Sequence, residues 1–231
     1  DKLKDLDMDN YYPIIYSNGA TLIKSYSFEL KENDIIFCHT MFIDYLFKHL
    51  KGIKEFTNIK LITHQTDDPI TKELFSKKPN CISVWFSTNV AYEHKNLIPI
   101  PIGIGNNHNK KTLTFRNFKN TNSESPRRES VYSNFNLNTN YFHRYKASKV
   151  LLNKDWALLD SPDQPLEVFV DNLIENKYCF APWGNGYDTH RLWEGVYSGA
   201  IPITKDHMAF KNFKDLPIIY LNSYKDLNIE N

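Results

Sequence analysis

The stretch KYCFAPWGNGYDTHRLWEGVYSGAIPIT, residues 177–204, is the part of the sequence that indicates the fold most clearly. Its apolar start at 178–181 predicts a buried strand, the glycines that follow predict a loop, and Asp188 or Thr189 marks the start of a helix. A second short strand is predicted at 200–203. A strand, a glycine-rich loop and a helix N-terminus together present backbone N–H groups to phosphate. The stretch therefore predicts an α/β fold with a phosphate site at the start of this helix.

Arg191 and Glu194 lie three residues apart on that helix, so their side chains project from one side. A cation and a carboxylate above a helix N-terminus suit a nucleotide diphosphate and its ribose hydroxyls. Arginine suits phosphate better than lysine does, because its planar fork contacts two oxygens at once. The alternatives are a surface ion pair of Arg191 with Glu194 or Asp188, and helix capping by Asp188.

These residues resemble the donor-binding region of GT-B glycosyltransferases of the exostosin-like kind. More distantly, they are similar to α1,3-fucosyltransferases, in which a basic and an acidic residue share one helix before a Gly-x-Pro strand. The matching residues in this chain are Phe180, Pro182, Gly184, Gly186, Thr189, Arg191, Trp193, Glu194, Gly199, Ile201, Pro202 and Ile203.

The resemblance implies a GT-B fold, in which two small Rossmann-like parallel-sheet domains face a cleft. It also implies a nucleotide-sugar donor, a UDP-sugar first and a GDP-sugar next, with no essential divalent metal or other cofactor. The donor-binding residues are expected to be Gly184, Asn185, Gly186, Tyr187, Asp188, Thr189, Arg191, Glu194 and Arg144. Within this set, the resemblance implies that Glu194 accepts hydrogen bonds from the ribose hydroxyls.

Composition limits the other classes of function. The 231 residues suit one α/β domain or two small ones, and 41% hydrophobic with 14% aromatic residues is enough for a sizeable core. A net charge of +1 argues against a general nucleic-acid binder. The three cysteines, each in an apolar run, are expected to be buried thiols in a reducing, cytoplasmic setting. No apolar run reaches the ~20 residues that span a bilayer. The first ten residues, DKLKDLDMDN, are not expected to form a signal peptide. The chain is expected to be part of a longer protein.

The hydrophobic pattern predicts two α/β halves. In the first half, strands are predicted at 34–40, 59–65, 81–87 and 96–105, with a helix at 41–52 and another that Asp68 caps and Pro69 opens. This order predicts a parallel sheet with right-handed crossovers. The polar run 106–130 is predicted to be a linker between an acceptor-side domain, 1–125, and a nucleotide-sugar domain, 126–231. The second domain is predicted to hold strands at 131–136, 156–160 and 217–221 and helices at 139–152, 165–176 and 207–213, in addition to the opening stretch.

Two arginines are predicted to stabilise the departing diphosphate. Arg144 follows the first strand of the second domain, and a strand-to-helix junction there opens on the same side as Arg191. Lys146, Lys149, Arg127 and Arg128 are expected to make its surroundings basic. Both Arg144 and Arg191 are therefore candidate catalytic residues, since transfer of the sugar leaves negative charge on the diphosphate.

A transfer that inverts configuration also needs a general base for the acceptor hydroxyl. We expect it at the carboxyl end of a strand in the first domain, where the candidates are Asp67 or Asp68, followed by His39 or His64. A carboxylate in a cleft acts as a base near neutral pH when partial burial raises its pKa. Asp68 alternatively caps a helix, and an enzyme that retains configuration needs no such base.

Several further residues allow a functional and a structural interpretation. Trp183 and Tyr187 are candidates for stacking on a base or sugar, whereas Trp85 is predicted to be core. The D-x-D pattern within Asp5, Asp7 and Asp9 is typical of metal binding in other glycosyltransferases, but in a polar terminal segment it is read as a solvated charge run.

The sequence thus predicts a metal-independent, inverting glycosyltransferase that moves a sugar from a nucleotide-sugar to a glycan hydroxyl. The alternative is a non-catalytic module that binds a sugar nucleotide or a glycan. A dinucleotide-dependent oxidoreductase is disfavoured, because no G-x-G-x-x-G follows the first strand.

Overall fold

The computed structural model describes residues 30–105, 113–118 and 126–229, together with the backbone of 15–17 and 20–22. In this part of the chain two parallel sheets are formed, which confirms the predicted α/β class. A small antiparallel pair, β1 (Ile15–Ser17) and β2 (Ala20–Leu22), precedes them. Below, the N-terminal half means residues 30–105 and the C-terminal half means residues 126–229.

The N-terminal half contains a four-stranded sheet in the order β3-β4-β5-β6, all parallel. Its strands are β3 (Ile35–His39), β4 (Ile59–His64), β5 (Ile82–Ser87) and β6 (Leu97–Pro99). The crossovers carry two helices, α1 (Ile43–Leu50) and α2 (Lys72–Ser76). Trp85 is fully buried between Phe47 and Phe75, which confirms its predicted place in the core.

Two predicted boundaries in this half are wrong. Helix α2 begins after Thr71, whose hydroxyl accepts the N–H of Leu74, and not at Asp68 and Pro69. The reason is tertiary: Ile70 is fully buried and forms a parallel β-bridge with Val90, so the chain is still extended there. The last strand is also shorter than 96–105, since the chain after Pro99 turns away to contact the C-terminal half.

The C-terminal half contains a five-stranded parallel sheet in the order β11-β10-β9-β7-β8. Its strands are β7 (Arg128–Ser133), β8 (Ala157–Leu159), β9 (Asn176–Phe180), β10 (Ile201–Lys205) and β11 (Ile219–Leu221). The helices between them are α3 (Tyr141–Leu151), α4 (Leu166–Glu175) and α5 (His190–Ser198). Short 3₁₀ helices cover Thr40–Phe42, Phe115–Phe118, Leu137–Thr139, Met208–Phe213 and Tyr224–Asp226.

Arg127 stabilises the end of this sheet opposite to Arg144. Its guanidinium donates to the carbonyls of Leu173, Asn176 and Ser198, which lie at the ends of α4 and α5. Arg127 precedes β7 and Arg128 is its first residue, while Arg144 lies beyond the other end of that strand. The expectation that Arg127 and Arg128 add to the basic surroundings of Arg144 is therefore wrong.

The three cysteines are free thiols. Cys81 and Cys179 are buried as predicted, and Cys38 is half-buried. Burial raises the pKa of Cys38 to about 11 and that of Cys179 to about 12, so both remain protonated at neutral pH. None of the helices in the described part of the chain is long and apolar enough to cross a bilayer.

Candidate functional site

The loops that follow the carboxyl ends of the strands in the two halves contact each other. Ile102, beyond β6, donates its N–H to Asp188, and Gly103 receives a hydrogen bond from the His190 ring at 2.7 Å. Asn212 of the C-terminal half donates to the Pro99 carbonyl at 3.1 Å. Ligands of open parallel sheets bind outside the carboxyl ends of strands. This junction is therefore the place to look for a site.

Residues 182–189, termed the glycine loop below, are fastened to the N-terminal half by Asn89. The Asn89 side-chain oxygen accepts the N–H groups of Tyr187 and Asp188 at 2.9 and 3.1 Å, and its amide nitrogen donates to Thr66 O. Gly184 donates its own N–H to Gly186 O. Three of the loop N–H groups that the sequence assigned to phosphate are thus engaged within the protein, and their phosphate role stays a prediction.

Gly186 is required where Asn89 meets the loop. A Cβ atom at this position would lie 2.7 Å from both the nitrogen and the oxygen of the Asn89 amide, too close for any real contact. Because three hydrogen bonds hold that amide in place, it cannot move aside without losing some of them.

Gly186→Ala is therefore expected to lower the free energy of unfolding by about 1–3 kcal/mol, the usual cost of overpacking. Urea unfolding followed by tryptophan fluorescence measures it. Asn89→Ala removes the obstructing amide. In that background, Gly186→Ala should lower the free energy of unfolding only slightly further. An equal cost in both backgrounds would contradict the contact. Gly52→Ala is the control, since a Cβ there meets no atom within 4 Å.

Asp188 connects the two halves and does not cap α5. Its carboxylate oxygens accept the N–H of Ile102 and the indole N–H of Trp193, both at 2.7 Å, and the residue is 3% exposed. Thr189 occupies the N-cap position and makes no side-chain capping bond, so the capping interpretation of Asp188 is wrong. Burial raises the pKa of Asp188 to about 6, although its hydrogen bonds oppose this rise.

Arg191 and Glu194 meet as the helical spacing predicts, in a pair that is largely buried. Arg191 Nη1 lies 3.4 Å from Glu194 Oε2, and the two side chains are 22% and 4% exposed. The other Glu194 oxygen accepts the N–H of Leu113 at 3.2 Å. The guanidinium stacks on the Phe169 ring at 3.8 Å and donates from Nη2 to Asn134. The alternative of a surface ion pair is therefore incorrect, and so is a pair with Asp188.

The hydrogen bonds of Arg191 are incomplete. Its Nε and Nη1 atoms are buried and have no hydrogen-bond partner among the described residues, since the 3.4 Å approach to Glu194 lacks hydrogen-bond geometry. A buried donor without a partner costs free energy, more so when it is charged. Both atoms are closed to solvent, so a ligand would reach them only after a local shift of the side chain.

Arg144 lies at the start of α3 and points into the same region. Its Nε donates to Trp183 O and its Nη1 to Asn136 O, at 3.1 and 2.7 Å, and the residue is 8% exposed. Nη2 lies 3.1 Å from the position that a Cβ of Gly184 would take. Burial, and after it the positive charge of Arg191, lowers the pKa of Arg144 to about 10, so the guanidinium stays charged at neutral pH. Two arginines thus repel each other next to the glycine loop.

Polar groups without partners concentrate at the carboxyl ends of the strands. In the described residues, four buried hydroxyls have no hydrogen-bond partner, in addition to the two Arg191 nitrogens. They belong to Thr66 after β4, Ser133 at the end of β7, Thr189 at the start of α5 and Thr204 near the end of β10. Trp156, which precedes β8, is the remaining case. This distribution favours a polar ligand at that edge of the C-terminal sheet.

The base candidates lie on the N-terminal side of the junction. Asp67 and Asp68 follow β4 and are exposed, not partly buried as the base hypothesis expected. The negative charge of Asp67 acts to raise the pKa of Arg144, a smaller effect than the burial that lowers it. Asp68 has no capping duty, because Thr71 caps α2.

His64 and His39 lie side by side as register partners at the ends of β4 and β3. The Nδ1 atom of His64 accepts the Gln65 N–H at 2.8 Å. Burial lowers the pKa of His64, with the neighbouring histidines His190 and His39 adding to the effect. One ring nitrogen of His64 is therefore engaged by a backbone N–H, and His39 Nδ1 likewise accepts the Met41 N–H at 3.3 Å.

The two aromatic residues of the glycine loop already stack within the protein. Trp183 is 7% exposed and donates its indole N–H to Lys205 O. Tyr187 stacks on His207 with ring centroids 3.5 Å apart. Burial lowers the pKa of His207 to about 4, so this ring is neutral at physiological pH. Asn185, in contrast, is exposed and remains available as a donor-binding candidate.

Sequence reasoning missed Asn89 and His190. Asn134, which follows β7, donates its amide N–H to Ser161 O after β8 and accepts a hydrogen bond from Arg191 on α5. The backbone of Asn89 has a φ of 51°, which asparagine tolerates better than most residues. An asparagine just after a buried strand was the available signal, but its partners lie almost 100 residues away.

The described residues bring no three carboxylate, imidazole or thiol groups together in a way that could hold a metal ion. Asp5, Asp7 and Asp9 lie outside the described residues, so their prediction as a solvated run is not tested here.

A scan of the chain against models of known protein families finds no match, and no curated protein sequence matches it either.

Proposed function

We propose that this protein is a glycosyltransferase that uses a nucleotide-sugar donor, with its two parallel-sheet halves arranged as in the GT-B fold. The donor diphosphate lies between Arg144 and Arg191, beside the glycine loop. The observation that carries this proposal is a buried Arg144 and a half-buried Arg191 beyond the carboxyl ends of the C-terminal strands, two like charges that act on each other. Two nitrogens of Arg191 have no hydrogen-bond partner among the described residues. A diphosphate would neutralise the repulsion and supply acceptors to both.

The two arginines would also serve the chemistry. As the bond between the sugar and the diphosphate breaks, negative charge grows on the leaving oxygens, and fixed cations in a poorly solvated place stabilise that charge without reorganising. Contacts within the protein already hold both arginines. Arg144 is held by two backbone carbonyls and Arg191 by Asn134 and Phe169, so each guanidinium is oriented before the ligand arrives.

The acceptor would approach from the N-terminal half. The charge of Asp67 acts on Arg144, which supports a carboxylate on the acceptor side of the proposed diphosphate site. In the proposed inverting reaction, Asp67 or Asp68 accepts the proton of the acceptor hydroxyl as this oxygen attacks the anomeric carbon and the nucleoside diphosphate leaves. The reaction needs no electron transfer, and its products are a glycoside and a nucleoside diphosphate.

Calorimetric titration with UDP and with GDP, each with and without magnesium, tests the donor site. We expect one of them to bind at micromolar concentration independently of the metal. Failure of both nucleotides to bind would overturn the proposal.

Asp67→Asn and Asp68→Asn separate an enzyme from a binding module. If the protein is an enzyme, one of the two substitutions should reduce release of UDP or GDP from the nucleotide-sugar at least about 100-fold while nucleotide affinity stays unchanged, because general base catalysis contributes about 10²–10⁴-fold. Asp163→Asn, on the loop before α4, is a matched control. Nucleotide binding without any turnover in the unsubstituted protein, across UDP- and GDP-sugars, would instead favour the non-catalytic module.

A further inference from the structure

The solvent-facing side of α3 is aromatic. Tyr141, Phe142 and Tyr145 are 60%, 64% and 40% exposed, and Tyr141 and Tyr145 stack on each other one turn apart. Leu137 before the helix and Leu152 after it are exposed too. These five residues fall within 16 positions, yet they are a third of the large hydrophobic side chains exposed in the described part of the chain. We call them the aromatic face of α3.

Two lysines flank these rings. Lys146 Nζ lies 3.8 Å from the centre of the Phe142 ring, and Lys149 Nζ lies 4.5 Å from that of Tyr145. The sequence contains no Asp or Glu from 130 to 154, so α3 and its flanks offer these ammonium groups no carboxylate. In the short helix that packs against α3, Asp226 is engaged in a capping box with Ser223. The face is therefore positive as well as apolar.

The opposite side of α3 is fixed in the protein. Arg144, Ala147 and Leu151 are buried there, and Arg144 makes the hydrogen bonds described above. Substitutions on the exposed side therefore leave the packing of the helix unchanged. The exposed side is also preformed, so a partner would not have to order it.

We propose that the aromatic face of α3 binds the surface of a membrane that contains anionic phospholipids. Tyrosine and phenylalanine favour the boundary between headgroups and acyl chains, and lysines beside them contact acidic headgroups while their stems stay in apolar surroundings. The charge is complementary, because the cytoplasmic leaflet carries negative charge that attracts basic segments near it. A flat, deformable lipid surface also fits a convex helix side, whereas protein partners anchor their strongest contacts in pockets.

Vesicle co-sedimentation tests this proposal without any nucleotide. We expect the protein to bind phosphatidylcholine vesicles that contain phosphatidylserine, and to bind pure phosphatidylcholine much more weakly. Binding should fall as salt is raised, since exposed charges are screened. Because a lysine near an anionic surface contributes about fivefold in affinity, Lys146→Gln with Lys149→Gln should weaken binding by about 25-fold.

A second variant and a control keep the test specific. Tyr141→Ser with Phe142→Ser should weaken binding to the anionic vesicles at least about tenfold, because the apolar area that enters the interface is lost. Lys48→Gln with Lys51→Gln removes the same charge from exposed positions around the end of α1 and should bind like the unsubstituted protein. The proposal is overturned if anionic vesicles do not bind at low salt, or if the control loses as much affinity as the α3 variants. The proposal is also overturned if soluble polyglutamate binds the protein as tightly as the anionic vesicles do and displaces it from them. That result would assign the face to an acidic protein partner.

Discussion

Arg191→Lys is expected to weaken UDP or GDP binding at least about tenfold, and Arg191→Met about 100-fold or more. Hydrogen bonds to a charged group contribute about 1.5–3 kcal/mol each, and tenfold corresponds to about 1.4 kcal/mol. The Arg191 side chain is 22% exposed, and two of its nitrogens have no hydrogen-bond partner among the described residues. A local shift that opens these two atoms would let a bound phosphate take two such bonds from the guanidinium. Lysine keeps the charge but loses the planar fork, which gives it the intermediate effect. Titration calorimetry measures both changes.

The fold of these variants needs its own control, because Arg191 also neutralises Glu194. Removing one partner of a buried ion pair leaves an uncompensated charge, which costs about 3–5 kcal/mol of stability. The double variant Arg191→Met with Glu194→Gln removes both charges while the Gln oxygen can still accept the Leu113 N–H. It should therefore unfold at a higher urea concentration than Arg191→Met alone, yet bind nucleotide equally poorly.

Arg128→Met is the matched substitution away from the site. Arg128 pairs with Glu175 at 3.0 Å, but the two side chains are 67% and 50% exposed, so the pair contributes little to stability. We expect this variant to bind nucleotide as the unsubstituted protein does. Equal nucleotide affinity in the Arg128 and Arg191 variants would contradict a role for Arg191 in the donor site.

Asp188 is expected to make the stability of the protein depend on pH between about 4 and 6. Its pKa is raised from an ordinary value of 3.8 to about 6 in the folded protein, chiefly by burial. Below about pH 3 the carboxyl is protonated in both the folded and unfolded states. As the pH rises through 4 to 6, the unfolded chain releases this proton first, and the contribution to the free energy of unfolding has fallen by about 3 kcal/mol once the pH is above the folded pKa.

The measurement is a comparison of the protein with Asp188→Asn, which cannot ionise. Urea unfolding of each at a series of pH values gives the difference in free energy of unfolding, and this difference should change by about 3 kcal/mol between pH 3 and 8. The sign is fixed: the aspartate protein becomes relatively less stable as pH rises. A difference that stays constant over this range would show that Asp188 titrates normally. Asp215→Asn, at an exposed position outside the junction, should show no such trend.

The local prediction at Asp68 and the one at Asp188 failed for the same reason. Both predictions applied a rule about the residues that start helices. In each case a contact with a distant segment prevented the residue from capping its helix. Ile70 is held by Val90 in an extended bridge, so α2 starts later. The carboxylate of Asp188 is taken by Ile102 and Trp193, so it makes no capping bond.

The sequence by itself determined the elements and the local pairs. Apolar runs separated by amphipathic segments require parallel strands with helical crossovers, and both sheets have them. The contact of Arg191 with Glu194 follows from a spacing of three on a helix, which no tertiary packing can change. These features depend on neighbours within one turn or one strand, so the order of residues is enough to predict them.

Only the tertiary structure decided which groups are buried and whom they contact. Asn89 engages the N–H groups of a loop nearly 100 residues away, and Asp188 bonds to a backbone N–H 86 positions earlier in the chain. The burial of Arg144, its proximity to Arg191 and the exposure of Asp67 likewise arise from how the two halves meet. Desolvation and hydrogen-bond geometry depend on all surrounding atoms, and periodicity along the chain carries no information about atoms that distant segments supply.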